Sequence, residues 1–353
     1  MDGVVAALTI GGRAVAGRAP CFVIAEAGVN HNGSVESACR LVDIARHAGA
    51  DAVKFQTFKA DKLVTPGAPK AEYQRQVTSE GQSQFDMLRA LELSDTAHRQ
   101  IRDHCQSQGL LFLSTPFDED SADLLDALGV PAFKISSGEL TNLGFLAHVA
   151  RKGKPIILST GMADLGEVES AVSTIRAAGN SDIVLLQCVT NYPAAPGDVN
   201  LRAMATMADA FQVPVGYSDH TVGNEIAFAA VALGACVIEK HFTVSRDLPG
   251  PDHRASIEPH ELAELVSGIR RVEAALGSGR KEPAASEAAT ALVARRSLVA
   301  ASTIAAGTVL TEDVIAVRRP GTGLPPSMRP YVVGRTARVL IPQGTVISIS
   351  MLT

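Results

Sequence analysis

The sequence predicts a (β/α)₈ barrel followed by a small β-rich domain, on three observations. Eight short apolar runs recur along the first three-quarters of the chain. Amphipathic segments of helical period separate them, and each run ends in polar residues. Runs this short and this continuously apolar are the signature of parallel strands buried on both faces. Eight of them in regular alternation with helices fit a closed barrel better than an open doubly wound sheet.

In chain order, VVAALTIGGRAVAG has a Gly-Gly turn between two β-prone stretches, which predicts a hairpin over 4–17 that plugs the N-terminal mouth. The strand runs are CFVIAEAG (21–28), AVKFQTF (52–58), LLFLSTPF (110–117), AFKISSGE (132–139), PIILSTGM (155–162), IVLLQCVT (183–190), PVGYSDHT (214–221) and CVIEKHFT (236–243). Ser34 caps a helix in which Val35, Ala38, Leu41, Val42 and Ala45 share one face, and Gly49 ends it. Further helical segments run near 95–108, 119–128, 142–151, 165–178, 222–233 and 258–276, and 59–94 reads as one long loop-rich insertion. The barrel is expected over 1–276. GSGRKEPAASEAATALVA (277–294) reads as a linker, and 295–353, rich in Val, Ile, Thr, Pro and Gly, as a compact β domain with a small core.

A formal charge of −5, no Trp and only 4% aromatic residues leave neither a basic face nor a stacking platform, so no nucleic-acid partner is expected. No apolar run reaches membrane-spanning length, and the first twenty residues lack the basic start of a signal peptide. Five scattered cysteines without a Cys-x-x-Cys pair read as reduced thiols in a cytoplasmic protein.

Catalysis in such a barrel belongs at the C-terminal strand ends. These carry Glu26, Lys54 with Gln56, Thr115, Lys134 with Ser137 and Glu139, Ser159, Thr190 with Tyr192, Ser218 with Asp219 and His220, and Glu239 with His241. Lys54 and Gln56, like Glu239 and His241, are two apart, so both members face the lumen. Charges there are costly unless paired with one another or with a ligand. Two lysines among the hydroxyls of Thr115, Ser137, Ser159 and Ser218 describe a phosphate or carboxylate site, and the Ser-Thr-Gly turn at 159–161 adds backbone N–H donors. His220 and His241 read either as two imidazole ligands of one divalent metal or as a hydrogen-bonded structural pair. Asp252 or His253 serves as a further ligand or holds a sugar hydroxyl.

Taken together, AEAGVNHNGS (25–34), KFQTF (54–58), FLSTPFD (112–118), FKISSGE (133–139), ILSTGM (157–162), GYSDHT (216–221), EKHFT (239–243) and PGPDH (249–253) resemble the sialic acid synthase family, over nearly the whole chain and in register. The tail with VRRPGTG (317–323) is similar to that family's antifreeze-like (SAF) domain. The resemblance implies a transferase that condenses phosphoenolpyruvate with an open-chain N-acetylated aminosugar, giving a nonulosonic (sialic-type) acid and phosphate. It implies a divalent metal, Mn²⁺ or Mg²⁺, on His220 and His241. It places phosphoenolpyruvate on Lys54, Thr115, Lys134, Ser137, Ser159, Thr190 and Ser218, and the acceptor sugar on Gln56, Tyr192, Glu239 and Asp252. Glu26 and Glu139, with His220, are the expected catalytic residues, the glutamates for proton transfer and for positioning water. A domain-swapped homodimer is also implied, in which Arg319 of one subunit reaches the N-acetyl group in the partner's barrel. The segment 58–74 and the run Arg295-Arg296-Ser297 are closer to legionaminate-type synthases than to animal sialate synthases. The expected acceptor is therefore a 6-deoxy diacetamido sugar, 2,4-diacetamido-2,4,6-trideoxymannose, ahead of N-acetylmannosamine.

Two other readings compete. A sister phosphoenolpyruvate condensation with a sugar phosphate needs a cationic cluster near the mouth, for which only Arg246 and Arg254 are obvious. A non-catalytic ice-binding or sugar-binding protein fits poorly with a tail that carries Arg318, Arg319, Arg329, Arg335 and Arg338, or with a barrel that keeps its lysines and histidines.

Overall fold

The structure, a computed structural model, describes residues 8–17, 19–71, 74–75 and 81–353. It divides into two compact units, Met1–Gly277 and Ser278–Thr353. The first opens with strands β1 (Leu8–Ile10) and β2 (Arg13–Val15), which pair antiparallel. Their turn residues Gly11 and Gly12 both have positive φ, as a two-residue hairpin of this twist requires. A side chain at Gly11 would come within 2.6 Å of Leu111, so glycine is needed there twice over. The expected hairpin began at residue 4, and residues 4–7 lie outside the described residues.

Eight parallel strands follow: β3 (Phe22–Gly28), β4 (Ala52–Thr57), β5 (Leu111–Pro116), β6 (Phe133–Ile135), β7 (Ile156–Ser159), β8 (Ile183–Cys188), β9 (Val215–Asp219) and β10 (Val237–His241). Their order, β5-β4-β3-β10-β9-β8-β7-β6, is a barrel closed but for the seam between β5 and β6. This is the predicted fold. Helices whose bounds fall within the described residues of this unit include α1 (Val35–Ala48), α2 (Ala60–Leu63), α3 (Gln84–Leu91), α4 (Asp95–Ser107), α5 (Glu119–Ala127), α6 (Leu143–Ala150), α7 (Leu165–Ala177), α8 (Ala203–Phe211), α9 (Glu225–Ala232) and α10 (Pro259–Leu276). Ser34 accepts a hydrogen bond from the Ser37 amide and Gly49 closes α1 in the left-handed region, as their positions in the sequence predict.

Three helices of this unit are additions to the sequence reading, and the first of them, α2, is a single turn inside the segment expected to be loop. α3 stands inside the segment expected to be loop, capped by Ser83. α8 follows Arg202, whose side chain makes no capping hydrogen bond, so its start has no capping signature in the sequence.

Strand alternation sorts the barrel into two cores. One phase, including Val23, Val53, Phe55, Leu158, Leu185 and Ile238, packs outward against the helices. The other packs inward, where Phe22, Ile24, Leu113, Ile157, Val184, Leu186 and Val237 meet Leu8, Ile10 and Val15 of the hairpin. The lower lumen is thus solid and apolar, as a barrel core must be. Gly216 belongs to this layer, where an added Cβ would lie 2.4 Å from the Val237 carbonyl. Arg13 of the hairpin pairs with Asp51, whose other oxygen takes the Val23 amide at 2.8 Å and Arg270 at 3.0 Å.

In the second unit β11 (Ser297–Ala300) pairs antiparallel with β12 (Ile315–Arg318). Leu298, Ile304, Leu310, Ile315, Val332, Ile341, Ile347 and Leu352 form its small core. The stretch expected as linker holds a helix, α11 (Ala288–Ala294), whose Leu292 carbonyl accepts the Gly321 amide at 2.7 Å. A last short helix, α12, spans Arg329–Val332.

Candidate active site

Two residues further along each inward-facing strand, the lumen turns polar. A cavity of about 320 Å³ opens there. Glu26, Lys54, Gln56, Thr115, Lys134, Ser137, Ser159, Thr190, Tyr192, Ser218, His220, Glu239, His241 and Asp252 all line it. The parallel register explains the gathering: Lys54 stands beside Glu26, Gln56 beside Thr115, Glu239 beside Ser218, and His241 beside Glu26.

The floor is a charge network. Lys54 Nζ lies 2.7 Å from Glu26 and 3.8 Å from Glu239, and donates to the Thr115 hydroxyl at 2.8 Å. Lys134 Nζ lies 3.5 Å from Glu239 and donates to Ser159 at 2.8 Å. Ser218 donates to Glu239 at 2.9 Å. Burial alone would raise both glutamates. For Glu239 the ammoniums of Lys134 and Lys54 overcome it and hold the carboxyl at about 2. For Glu26 burial wins, opposed by Lys54 and reinforced by the Glu239 charge, and the carboxyl is pushed up to about 7. One carboxylate is therefore kept ionised while its neighbour carries an exchangeable proton near neutrality. Burial, with Lys54 close by, lowers Lys134.

The β7 and β8 ends build an anion cradle. The Gly161 amide donates to Ser137 Oγ at 2.9 Å, and a Cβ at Gly161 would meet Thr190 Oγ1 at 2.2 Å. The buried Thr190 and Ser136 hydroxyls have no hydrogen-bond partner among the described residues. Unmet buried donors beside a glycine that admits no side chain mark room for ligand oxygens. Thr190 lines the cavity, whereas its neighbour Asn191 is exposed.

His220 and His241 stand with ring centroids 5.5 Å apart, and Tyr192 lies against both. His220 Nδ1 donates to the Val189 carbonyl at 2.7 Å, and its Nε2 lies 3.0 Å from the Tyr192 hydroxyl. Burial, then the charges of His220 and Lys54, drives His241 well below its ordinary range, so its ring is neutral. Its Nδ1 is buried with no hydrogen-bond partner among the described residues. Asp252, also buried, is raised to about 6.

Four residues considered from the sequence are not among those that line the cavity. Glu139 lies on a short 3₁₀ turn (Ser137–Glu139) outside the cavity lining and accepts from the Asn142 amide group at 2.8 Å. Arg319 is exposed on the C-terminal unit, next to exposed Arg318. His253 does not line the cavity: one ring nitrogen is engaged by Thr243 at 2.6 Å and the other by Asn32 at 3.2 Å. Asp219 turns outward and pairs with Lys240 at 2.6 Å.

The sequence pattern of the NeuB family matches residues 41–281, and that of the SAF domain residues 295–353. The chain belongs to the NeuB family. It is 50% identical over 329 residues to the N,N'-diacetyllegionaminic acid synthase of Legionella pneumophila, covering 92% of each chain. It is 48% identical to the enzyme of the same name from Campylobacter jejuni, covering 86% of this chain and 91% of that one. A crystal structure of N-acetylneuraminic acid (sialic acid) synthetase from Leptospira borgpetersenii superposes with a TM-score of 0.72 at 37% identity, over 81% of this chain and 95% of that chain. This NeuB-family chain is an enzyme of the sialic acid synthase type.

What sequence reasoning missed lies mostly on the rim. Val29, Leu63, Met87, Leu88, Leu91 and Phe117 give the cavity an apolar wall, with Met87, Leu88 and Leu91 carried by α3. A Cβ at Gly33 would stand 2.7 Å from the Ala90 carbonyl, so the helix rests directly on the loop after β3. Cys188 also lines the cavity. Arg246, one of two arginines considered for a sugar phosphate, is taken up by Glu261 at 2.6 Å and the Ser256 carbonyl at 2.9 Å. Among the described residues no group of three or more His, Cys, Asp and Glu forms a ready metal cage. The pair His220 and His241 would suit a divalent cation as a donor set, two imidazoles at one end of the cavity with a His241 nitrogen that is buried and has no hydrogen-bond partner among the described residues. No helix among the described residues is long and apolar enough to cross a membrane.

Proposed function

We propose that this enzyme condenses phosphoenolpyruvate with 2,4-diacetamido-2,4,6-trideoxymannose in its open-chain form, using one water and releasing phosphate. One observation carries the acceptor choice. The mouth of a strongly charged cavity is walled on one side by Val29, Leu63, Met87, Leu88, Leu91 and Phe117, which suits a sugar bearing a methyl group and acetamides better than one rich in hydroxyls.

In this reading Lys54, Lys134, Thr115, Ser137, Ser159, Thr190 and Ser218 hold the phosphate and carboxylate of phosphoenolpyruvate. C3 of the enol phosphate attacks the aldehyde carbon, water adds at C2, and the C2–O bond to phosphate breaks. Gln56, Tyr192, Glu239 and Asp252 orient the acceptor. Glu26, protonated near neutrality and inside the cavity, is the group that hands a proton to the new alkoxide or takes one from the attacking water. Glu139 points its carboxyl at Asn142 and is assigned no such step. His220 and His241 would hold Mn²⁺ or Mg²⁺, which supplies Lewis-acid polarisation of the acceptor carbonyl. The same reading makes the enzyme a domain-swapped homodimer in which one protomer's Arg319 completes its partner's site. Arg319 stands exposed on a unit that also exposes Tyr331 and Leu340, which supports an interface. Five free thiols fit a cytoplasmic setting.

The test is phosphate release from phosphoenolpyruvate with Mn²⁺, run in parallel with the diacetamido sugar, N-acetylmannosamine and arabinose 5-phosphate. The diacetamido sugar should have the highest kcat/KM. A higher value for N-acetylmannosamine overturns the acceptor assignment, and release with the sugar phosphate alone overturns the reaction. Light scattering and Arg319→Ala check the dimer.

A further inference from the structure

The motif AEAGVNHNGS supplies Glu26 to the cavity, yet its two asparagines do not line it. Asn30 is 3% exposed and spends both protons of its carboxamide on the loop after β10. Its Nδ2 donates to the Phe242 carbonyl at 2.8 Å and to Ser256 Oγ at 2.9 Å. Ser256 Oγ in turn donates its single proton to the Asp252 carbonyl at 2.7 Å. The hydroxyl therefore has only lone pairs left for Asn30, which fixes the direction of every bond in the chain from Asn30 through Ser256 to Asp252.

Asn32 grips the other side of the same loop. Its Nδ2 donates to the Pro249 carbonyl at 2.9 Å, and its Oδ1 lies 3.2 Å from His253 Nε2. Burial holds His253 neutral. The ring then donates from Nε2 to Asn32 and accepts the Thr243 hydroxyl at Nδ1, 2.6 Å away. A Cβ at Gly250 would stand 2.7 Å from the His253 ring and 2.8 Å from Asn32, so the loop closes on the clasp only with glycine there. Among the described residues, no hydrogen bond holds the Asp252 carboxylate itself. Its place in the cavity is set by its backbone.

We propose that Asn30, acting through Ser256, is a positioning residue that holds Asp252 at the acceptor sugar, with Asn32 and His253 as the second jaw of the clasp. The inference rests on the reading that Asp252 contacts the sugar. A carboxylate that must meet a flexible open-chain acceptor gains most from a rigid backbone, because small misplacements cost large factors in rate.

The experiment measures KM separately for phosphoenolpyruvate and for 2,4-diacetamido-2,4,6-trideoxymannose in wild type, Asp252→Ala, Ser256→Ala, Asn30→Ala and the Asn30→Ala/Ser256→Ala double variant. Ser256→Ala breaks the link but leaves the Asn30 bond to Phe242. It should raise the sugar KM about tenfold, the size of one lost buried hydrogen bond. The phosphoenolpyruvate KM should stay within about twofold, because the lysine and hydroxyl ring is untouched. The double variant should be no worse than Asn30→Ala, since both act through one chain of bonds. Ser256→Thr, which keeps the hydroxyl, should restore most of the affinity. If Asp252→Ala leaves the sugar KM unchanged, the reading of Asp252 fails and the clasp with it. If Asp252→Ala raises the sugar KM and Ser256→Ala does not, or raises both KM values equally, the clasp alone is refuted.

Discussion

Replacing Glu239 by glutamine should uncover how the cavity floor balances its charge. Glu239 sits 3.5 Å from Lys134 and 3.8 Å from Lys54, all three buried. At an effective dielectric near 20, each attraction is worth about 4 kcal/mol before the carboxylate's own desolvation is counted. Removing one partner of a buried pair costs about 3–5 kcal/mol net. The downward displacement of Glu239 to about 2 from an ordinary 4.5 leads to a similar figure, about 3 kcal/mol, at one unit per 1.36 kcal/mol. The sign follows from linkage: a carboxyl held low contributes stability above pH 4.5 that disappears as the pH falls through about 2. At pH 7 the Glu239→Gln variant should therefore melt about 10 °C below wild type. Lys134 then loses its carboxylate partner while Lys54 keeps Glu26 at 2.7 Å, and phosphoenolpyruvate supplies the missing anion, so the ligand should raise the variant's Tm by more than it raises that of wild type. Differential scanning calorimetry with and without phosphoenolpyruvate measures both. A variant that melts with wild type, or that gains no more from the ligand, would show that the lysines are balanced by something other than Glu239.

Glu26→Gln should erase the limb near pH 7 in the profile of kcat/KM. Because the folded carboxyl lies above its ordinary value, the stability it lends is present below pH 4.5 and lost as the pH rises through about 7, so the variant's Tm should fall less than that of wild type between pH 5 and 8; parallel falls would remove Glu26 as the titrating group. Gly161→Ala forces a methyl group to within 2.2 Å of Thr190 Oγ1, and should raise the phosphoenolpyruvate KM by about a hundredfold while leaving the sugar KM near wild type. Leu88→Gln on α3 should cut kcat/KM for the diacetamido sugar by about tenfold and for N-acetylmannosamine by less; equal losses would show that the apolar wall does not read the acceptor.

Both the barrel and the ring of groups in its mouth were legible in the sequence for the same reason. A parallel strand in a barrel is covered on both faces, so it reads as an unbroken apolar run. The point where that run turns polar marks the level of the mouth, and counting by twos then selects the inward side chains. Lys54 with Gln56, and Glu239 with His241, follow directly from that count. The same rule turns Asp219 outward to Lys240 between the inward Ser218 and His220.

Counting fails once the chain leaves the strand. Glu139 falls on a 3₁₀ turn, where the period changes from two to three, and its carboxyl swings to Asn142, the residue that also caps α6. The available signal was local: an asparagine three residues on, at the start of an apolar helix, competes for that carboxyl. The wall formed by Met87, Leu88 and Leu91 was hidden differently. Its helix spans only Gln84–Leu91, too short for periodicity to stand out, and its placement depends on Gly33 admitting the Ala90 carbonyl from a loop more than fifty residues away. The clasp around Asp252 is the extreme case, since Asn30 and Ser256 lie 226 residues apart. Most residues that line the cavity announce themselves by sitting at strand ends, whereas the asparagines packed behind Asp252 become visible only when the barrel brings β3 beside β10.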